Sequence, residues 1–280
     1  EPYEGFPAHQ SGLWAGDKIL EINGKEMKGK TTGDVSKLLK GSPNTDLEVV
    51  IQRPYENDTR LIKITRKEIK LKSVPYYGLI DSNIAFIKLT KFTRGCGNDV
   101  KKALETLSDS VDLKACILDL RGNSGGLLLE AVNVSNVFIP KGQVIVSTKG
   151  KKLEKDYKTL NEPVDTILPL AILTNKGSAS ASEIVSGSIQ DLDRGILIGQ
   201  NTYGKGLVQN TRPVGYNTQI KLTTAKYYIP SGRCIQKIDY SNKNTEGQSS
   251  AIHDSLIQVF KTNNGRKVYD GKGIKPDINT

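Results

Sequence analysis

The chain of 280 residues is poor in histidine, cysteine and long apolar runs. Its two histidines, His9 and His253, lie in polar, turn-like surroundings, which gives little support to a catalytic serine–histidine pair. The three cysteines allow at most one disulfide and show neither CxxC nor zinc-ligand spacing. No run reaches the length of about 18 apolar residues that a membrane span needs. The sequence therefore predicts no transmembrane segment and no zinc site.

Charge is the next property that limits the function. The net charge is +10 and the isoelectric point is about 9.3, but lysine and arginine are spread along the chain between acidic residues. A dispersed excess of this kind is typical of a solvated basic surface and not of a nucleic-acid site. No nucleic-acid partner is predicted, and the excess favours acidic partners only weakly.

One stretch, residues 175–210, has the features of a nucleophile turn. The small residues from Gly177 to Ser182 are followed by a helical pattern of apolar residues that runs to Leu192. A serine at a helix start lies beside unpaired backbone N–H groups, which suits a nucleophile that generates an oxyanion. Ser180 is such a serine. With Glu183 it also fits a capping box, so a purely structural N-cap is the alternative.

A base for this serine has to come from outside the histidines. Lysine is the main remaining type of general base in serine proteases, and it has to lose its charge by desolvation to act as one. Lys205 lies in the tightest apolar setting, between Gly204 and Gly206 and before an apolar pair. Residues 199–205 also spell the start of a P-loop, but Gly206 replaces the Ser or Thr that holds magnesium, and a strand pattern follows where a helix is required. Nucleotide binding is therefore not predicted.

The two segments together resemble a known family. GSASASEI, an apolar helix ending in QDLDRG, a strand and TYGKGLVQ are similar to the carboxyl-terminal processing peptidases, which are tail-specific serine proteases with a Ser–Lys dyad. The resemblance implies that Ser180 is the nucleophile, that Lys205 is the base and that Gln209 orients the lysine. Strand alternation independently predicts that residues 205, 207 and 209 share one side.

A second glycine-rich turn follows the strand pattern of residues 115–120. Residues 121–126 read RGNSGG, and a helical pattern begins at Leu127. A strand, a glycine turn and a helix start form an anion-binding geometry, although such a turn is more often only structural. DLRGNSGG resembles the family's loop that supplies half of the oxyanion hole. The resemblance implies that the Gly126 amide is one donor and the Ala181 amide the other.

Residues 1–68 predict a small β-rich module. Residues 18–25 alternate and end in an Asn-Gly turn, which indicates a hairpin, and a helix is predicted over 31–40. The GDKILEING segment and this helix resemble a PDZ domain, a module that binds free carboxyl ends by strand addition. The carboxylate loop and the pairing strand of that family normally precede this segment. Only the helix side of the groove is therefore assigned, to Val35, Leu38 and Leu39, and an inert β-rich cap is the alternative.

The rest of the chain alternates strands and helices, which predicts an α/β fold with a central β-sheet flanked by helices. Two strands are predicted at 220–223 and 225–229, and a polar loop at 240–253. The resemblance adds a ClpP/crotonase-like protease core over residues 83–280 and a partly truncated PDZ-like domain over residues 1–68. The turn-forming residues 75–78 predict a linker between them, over 69–82.

The functional implications also come from the resemblance. It implies a serine endopeptidase that cleaves proteins near their C-termini, with protein substrates bound by their C-terminal ends. It implies no cofactor and no metal, allows a homo-oligomer, and suggests the bacterial cell envelope or periplasm. Two rival functions stay open: a catalytically inactive PDZ-type peptide-binding or scaffold protein, and acyl transfer on a non-peptide substrate.

Overall fold

The computed structural model describes residues 2–151, 154–243 and 246–280. Backbone contacts divide the chain into two units, Glu1–Leu71 and Lys72–Thr280. Among the described residues no helix has the length and apolar character needed to cross a membrane.

The N-terminal unit is built on a four-stranded antiparallel sheet in the order β2-β1-β3-β4. Its elements are α1 (Pro7–Gln10), β1 (Lys18–Ile22), β2 (Lys25–Glu26), α2 (Thr32–Leu39), β3 (Asp46–Gln52) and β4 (Thr59–Thr65). Helix α2 begins with a capping box, because the Asp34 N–H donates to Thr31 Oγ1 and the Thr31 N–H donates to the Asp34 carboxylate. The core of this unit contains buried Ile, Val, Leu and Met side chains of β1, β3, β4 and residue 27.

The second unit contains a six-stranded sheet in the order β18-β11-β10-β7-β6-β5. Its strands are β5 (Tyr76–Ile80), β6 (Ile84–Lys88), β7 (Ala115–Asp119), β10 (Leu170–Thr174), β11 (Ile196–Gly199) and β18 (Ile278–Asn279). All neighbours pair in parallel except β5, which pairs antiparallel with β6 at one edge. Strand β5 lies inside the segment predicted as a linker, 69–82. The turn residues around Pro75 indicated a break, but backbone pairing with β6 makes Tyr76–Ile80 part of the sheet.

Helices α3 (Cys96–Ser110) and α5 (Ala181–Asp191) pack against this sheet, and α4 (Leu128–Ser135) packs against both of these helices. Helix α3 buries Val100, Ala103, Leu104 and Leu107, the face that its periodicity predicts. Every residue of α5 is buried, so this helix runs through the interior. The predicted α/β fold, with a central sheet flanked by helices, is confirmed.

A second sheet of the same unit is antiparallel, in the order β12-β13-β8-β9. It contains β8 (Val144–Gly150), β9 (Glu154–Lys158), β12 (Leu207–Gly215) and β13 (Thr218–Tyr228). The two strands predicted at 220–223 and 225–229 are one strand, β13. The register shifts opposite Val208 and Gln209, so Thr224 is an extra residue in a bulge and does not end the strand.

Two short hairpins complete the unit: β14 (Ile238–Lys243) with β15 (Ser249–Ala251), and β16 (Val259–Lys261) with β17 (Lys267–Tyr269). The first hairpin replaces much of the loop predicted over 240–253, of which residues 244–245 lie outside the described residues. Polar side chains concealed this pairing, because backbone hydrogen bonds and not an apolar pattern define it.

Candidate active site

Three serines alternate in the turn that leads into α5. The Ser178 hydroxyl donates to the Leu120 carbonyl at 2.8 Å, and the Ser182 hydroxyl donates to the Asn123 carbonyl at 2.8 Å. Both of these side chains are fully buried. Ser180 is only half-buried, and its hydroxyl donates no hydrogen bond to any residue that the structure describes. Two of the serines therefore join this turn to the loop after β7, and Ser180 alone keeps a proton to give.

The backbone of Ser180 has an uncommon conformation. This residue is the N-cap of α5 with φ 56° and ψ −112°, a region that costs a non-glycine residue about 1–3 kcal/mol. Its N–H donates to the Glu183 carboxylate at 2.8 Å, and its carbonyl accepts the N–H groups of Glu183 and Ile184. Ser180 therefore lies at the cap, as the structural alternative predicts. The strained backbone of a non-glycine residue with positive φ is the additional feature, because such strain clusters at functional sites.

The Glu183 side chain connects the two predicted catalytic residues. Its Oε2 accepts the N–H of Ser180 at 2.8 Å and the N–H of Lys205 at 2.9 Å. Its Oε1 accepts the Thr202 hydroxyl at 2.6 Å and the Gly204 N–H at 2.7 Å. The backbones of Ser180 and Lys205 are therefore neighbours, each within hydrogen-bonding distance of one oxygen atom.

The electrostatics of this carboxylate are unusual. Glu183 is fully buried and forms no ion pair within the described residues. Burial raises the pKa of Glu183 above its ordinary value, and the hydrogen bonds from Thr202, Lys205 and other donors offset part of that rise. All four partners donate hydrogen bonds to Glu183, and a protonated carboxyl group would lose one of these acceptor positions. The hydrogen bonds therefore favour the ionised form of Glu183.

Tyr227 of β13 forms a second link between the same two residues. Its hydroxyl donates to the Lys205 carbonyl and lies 3.2 Å from the Ser180 carbonyl oxygen. Its N–H donates to the Gly206 carbonyl at 3.0 Å. The side chain is buried, and burial raises the pKa of the phenol well above its usual range, so the hydroxyl keeps its proton and remains a donor.

The Lys205 side chain is half-buried. In the part of the chain that the structure describes, no carboxylate lies within ion-pair distance of its Nζ, and no hydrogen bond joins Nζ to Ser180 Oγ. The structure thus brings the two backbones together, while Ser180 Oγ and Lys205 Nζ are not in hydrogen-bond contact.

Gln209 lies on β12 and is exposed. Strand β12 begins at Leu207, so Lys205 precedes it and the alternation argument does not extend back to the lysine. No hydrogen bond joins Gln209 to Lys205, and its orienting role stays a prediction.

The glycine turn after β7 is attached to the nucleophile turn through Asn123, which is fully buried. The Asn123 side chain donates to the Leu89 carbonyl at 2.8 Å and accepts the Gly125 N–H at 2.9 Å. Its own carbonyl accepts the Ala179 N–H at 3.0 Å. At the start of the turn, Arg121 forms a two-point contact with the buried Asp119 carboxylate, with both nitrogen–oxygen distances at 2.9 Å.

Gly125 and Gly126 lie where side chains have no room. A Cβ at Gly125 would lie 2.9 Å from Ser180 Cβ and 2.9 Å from the Ala181 nitrogen. A Cβ at Gly126 would lie 2.2 Å from the Phe92 carbonyl oxygen. Both positions therefore require glycine, because only bare backbone fits there.

Two amides near Ser180 lack partners. The Gly125 N–H is already bonded to the Asn123 side chain. The N–H groups of Gly126 and Ala181, in contrast, have no acceptor among the described residues. Unpaired amides beside a nucleophile are what an oxyanion hole requires.

The PDZ-like residues are part of a separate region, in the N-terminal unit. Val35, Leu38 and Leu39 pack against the core of that unit. Leu38 also lines a cavity of about 530 Å³ between α2 and the residues around β2, together with Met27 and three lysines.

Several residues of the candidate site around Ser180 were not assigned a role from the sequence. Glu183 was visible as the third residue of a capping box, but its partners at 202–205 lie far along the chain. Asn123 was noted only as a member of the glycine turn. Tyr227 gave no signal, because an aromatic residue in a strand is usually core.

Comparison with known proteins identifies the class of protein. The sequence profile of peptidase family S41 matches residues 83–246, and that of the PDZ domain matches residues 1–53. The chain belongs to peptidase family S41.

Individual relatives are consistent with this assignment. A carboxy-terminal-processing protease from Bartonella bacilliformis is 38% identical over 243 residues, which are 85% of this chain and 55% of that protein. A probable CtpA-like serine protease from Staphylococcus aureus is 36% identical over 237 residues, 84% of this chain and 47% of that protein. The chain therefore spans about half the length of these curated relatives.

Solved structures give the same picture. The photosystem II D1 C-terminal processing protease superposes with a TM-score of 0.60 and 26% identity, covering 100% of this chain and 67% of that one. A putative S41 protease from Bacteroides fragilis gives 0.61 at 17% identity, covering 99% and 69%, a likeness of fold alone.

Proposed function

We propose that this chain is a serine peptidase in which Ser180 is the nucleophile and Lys205 is the general base. One observation carries the proposal: a single oxygen of Glu183 accepts the backbone N–H of both residues, at 2.8 and 2.9 Å. Because the two backbones are already neighbours, only a rotation of the Lys205 side chain is needed to bring Nζ to Ser180 Oγ. Catalytic hydrogen bonds are often long in a substrate-free enzyme and shorten in its complexes.

The first half of the reaction forms an acyl-enzyme. Neutral Lys205 Nζ takes the proton from Ser180 Oγ while that oxygen bonds to the carbonyl carbon of the substrate. The electron pair of the C=O bond moves to oxygen, and the unpaired amides of Gly126 and Ala181 bind this oxyanion. Each such donor typically contributes about 3–4 kcal/mol. When the intermediate collapses, the C–N bond breaks and protonated Lys205 gives its proton to the leaving amine.

The second half hydrolyses the ester. Lys205, neutral again, takes a proton from water while the water oxygen attacks the acyl carbon, and the proton then passes to Ser180 Oγ as it leaves. We assign Gln209 to orienting Lys205 once substrate is bound. No step of this scheme draws on a metal or a cofactor.

The substrate class follows from the relatives and from the N-terminal unit. The names of the relatives describe carboxy-terminal processing. We propose that this chain cleaves proteins near their C-terminal ends, and that the groove side formed by Val35, Leu38 and Leu39 binds such ends. Location in the bacterial cell envelope or periplasm, and assembly into a homo-oligomer, are further parts of the proposal.

Two substitutions test the dyad. We expect Ser180→Ala and Lys205→Ala each to lower cleavage of an unfolded polypeptide by roughly 10⁴-fold or more, since dyad members act as a unit. Ser186→Ala is a matched control, because this serine is buried in α5 and bonded only within the helix. Lys267→Ala, on the exposed face of β17, is the control for the lysine. Normal cleavage by either dyad variant would overturn the assignment.

The rival functions have separate readouts. A serine-directed phosphonate that labels Ser180 favours an enzyme, whereas an unlabelled chain that still binds peptides favours the inactive PDZ-type scaffold. Fragment masses after incubation with an unfolded polypeptide distinguish peptide cleavage from acyl transfer on a non-peptide substrate.

A further inference from the structure

We propose that Tyr227 is a positioning residue for the general base, a role that rests on the function proposed above. The phenol hydroxyl donates to the Lys205 carbonyl, on the side of the residue opposite to the N–H that Glu183 accepts. Lys205 is therefore held from both sides of its backbone. The hydrogen bonds of the Tyr227 hydroxyl go to backbone carbonyls and to neither Ser180 Oγ nor Lys205 Nζ, so it acts through the position of Lys205.

The two carbonyls near this hydroxyl depend on it to different degrees. The Ser180 carbonyl already accepts two N–H groups of α5, from Glu183 and Ile184. The Lys205 carbonyl has no other donor within the described residues. A buried carbonyl without a donor costs about 1–3 kcal/mol, which is enough to make an irregular segment change its conformation. The contribution of the phenol therefore falls mainly on the lysine.

The segment that carries Lys205 depends on such contacts. Residues 200–206 form neither helix nor strand, and Gly204 has a φ of +87°. In contrast, Tyr227 lies near the end of β13, an inner strand of the second sheet, and pairs with Thr148 of β8. Its side chain is 2% exposed, so the ring has no freedom to follow a moving partner. A rigid strand thus fixes the position of an irregular turn.

The consequence for catalysis is geometric. The Lys205 amine is separated from its backbone by a long side chain, so a small shift of the backbone displaces Nζ from Ser180 Oγ. A misplacement of about 1 Å in a catalytic group can cost about 100-fold in rate. Because the Tyr227 side chain is buried away from solvent, we expect the loss to appear in kcat and not in KM.

The test is Tyr227→Phe in the full chain, which keeps the ring and removes only the hydroxyl. We expect kcat for polypeptide cleavage to fall about 10- to 100-fold while KM changes by less than about twofold. Labelling of Ser180 by a phosphonate should slow by a similar factor. Tyr228→Phe is the matched control: it is the next residue of β13, half-buried, and its hydroxyl has no hydrogen-bond partner in the described part. That variant should match the wild type.

A second measurement does not need activity. Amide hydrogen exchange of residues 204–207 should accelerate in Tyr227→Phe and not in Tyr228→Phe. If Tyr227→Phe loses activity only in proportion to its unfolded fraction, and regains it on cooling, the role is structural and the proposal is overturned. If the wild type is active and Tyr227→Phe has the same kcat, the proposal is also overturned. If the wild-type chain cleaves no polypeptide, the proposed function is refuted instead. If, in addition, amide exchange of residues 204–207 is the same in Tyr227→Phe as in the wild type, the anchoring of Lys205 is refuted as well.

Discussion

The two ends of helix α5 are both buried and both polar, but they are built differently. At the N-terminal end, Glu183 is surrounded by four N–H and O–H donors and has no ion-pair partner among the residues that the structure describes. At the C-terminal end, carboxylates face guanidinium groups: Asp191 pairs with Arg233 at 2.8 Å and Asp193 pairs with Arg266 at 2.7 Å. One end is organised by dipoles and the other by paired charges.

The difference shows what each end holds in place. Three of the donors around Glu183 are backbone N–H groups, of Ser180, Gly204 and Lys205, and the fourth is the Thr202 hydroxyl, so this carboxylate sets the relative positions of the proposed nucleophile and base. The charge pairs at the other end join α5 to the C-terminal segment. Gln190 also donates to the Asp277 carboxylate at 3.0 Å, and Asp277 pairs with Arg266. Disruption of the first end should therefore affect the chemistry, and disruption of the second should affect stability.

Among substitutions at the two ends of α5, we expect Glu183→Gln to have the largest effect on activity. The new amide nitrogen is a donor among four donors, so at least two hydrogen bonds are lost, at a cost of about 2–5 kcal/mol. Because these bonds position Ser180 and Lys205, we expect kcat/KM of the folded protein to fall by about 100-fold or more. Steady-state cleavage and urea unfolding measure the two effects.

Glu130→Gln is the control for that variant. Glu130 is also a buried carboxylate, bonded to the N–H groups of Gly95 and Gly97 at the start of α3, away from the nucleophile turn. It should lose about 1–3 kcal/mol of stability and keep its kcat. Equal losses of kcat in the two variants would contradict the contrast between positioning and stability.

The next effect is expected from Arg233→Met at the opposite end of α5. Removal of the guanidinium leaves Asp191 buried and unpaired, which typically costs about 3–5 kcal/mol. We expect the free energy of unfolding to fall by this amount, with kcat per folded molecule within about threefold of wild type. Addition of Asp191→Asn should recover part of the stability, since the unpaired charge is then gone. A fall in kcat larger than the loss of folded protein would show that this end also positions the site.

The smallest effect is expected from Asp193→Asn, and it depends on pH. Burial alone would raise the pKa of Asp193, but the Asn264 N–H and the Arg266 guanidinium outweigh it and hold the pKa below the ordinary value of 3.8. A depressed pKa adds stability above that value, and the gain is lost as the pH falls through the folded-state pKa.

We therefore expect Asp193→Asn to be about 1–3 kcal/mol less stable than wild type near pH 7. The difference should shrink below pH 3.8. Urea unfolding at a series of pH values measures it, and asparagine suits the positive φ of 55° at this position. A difference that does not change with pH would mean that the carboxylate charge is not its source.

What the sequence could predict was local. Ser180, Lys205 and the glycine turn lie in short motifs whose residue types and spacing predict the proposed chemistry. The contacts among them are not local: Glu183 binds a turn some 20 residues later, and Tyr227 comes from a strand of the second sheet. Gln209 could not be related to Lys205 by alternation, because the strand between them starts only at Leu207.

The same limit explains the corrections to the fold. Strand β5 and the β14–β15 hairpin are defined by backbone pairing with partners that polar and turn-forming side chains do not reveal. In contrast, α3 and the central parallel strands bury regular apolar patterns, which a sequence shows directly.

The absence of a side chain at residue 125 has one more consequence. A methyl group there would lie 2.9 Å from Ser180 Cβ, so only main chain fits beside the proposed nucleophile at this position. Alanine at this one position should therefore displace the turn that carries Ser180 and lower cleavage, while it leaves every charged group in place.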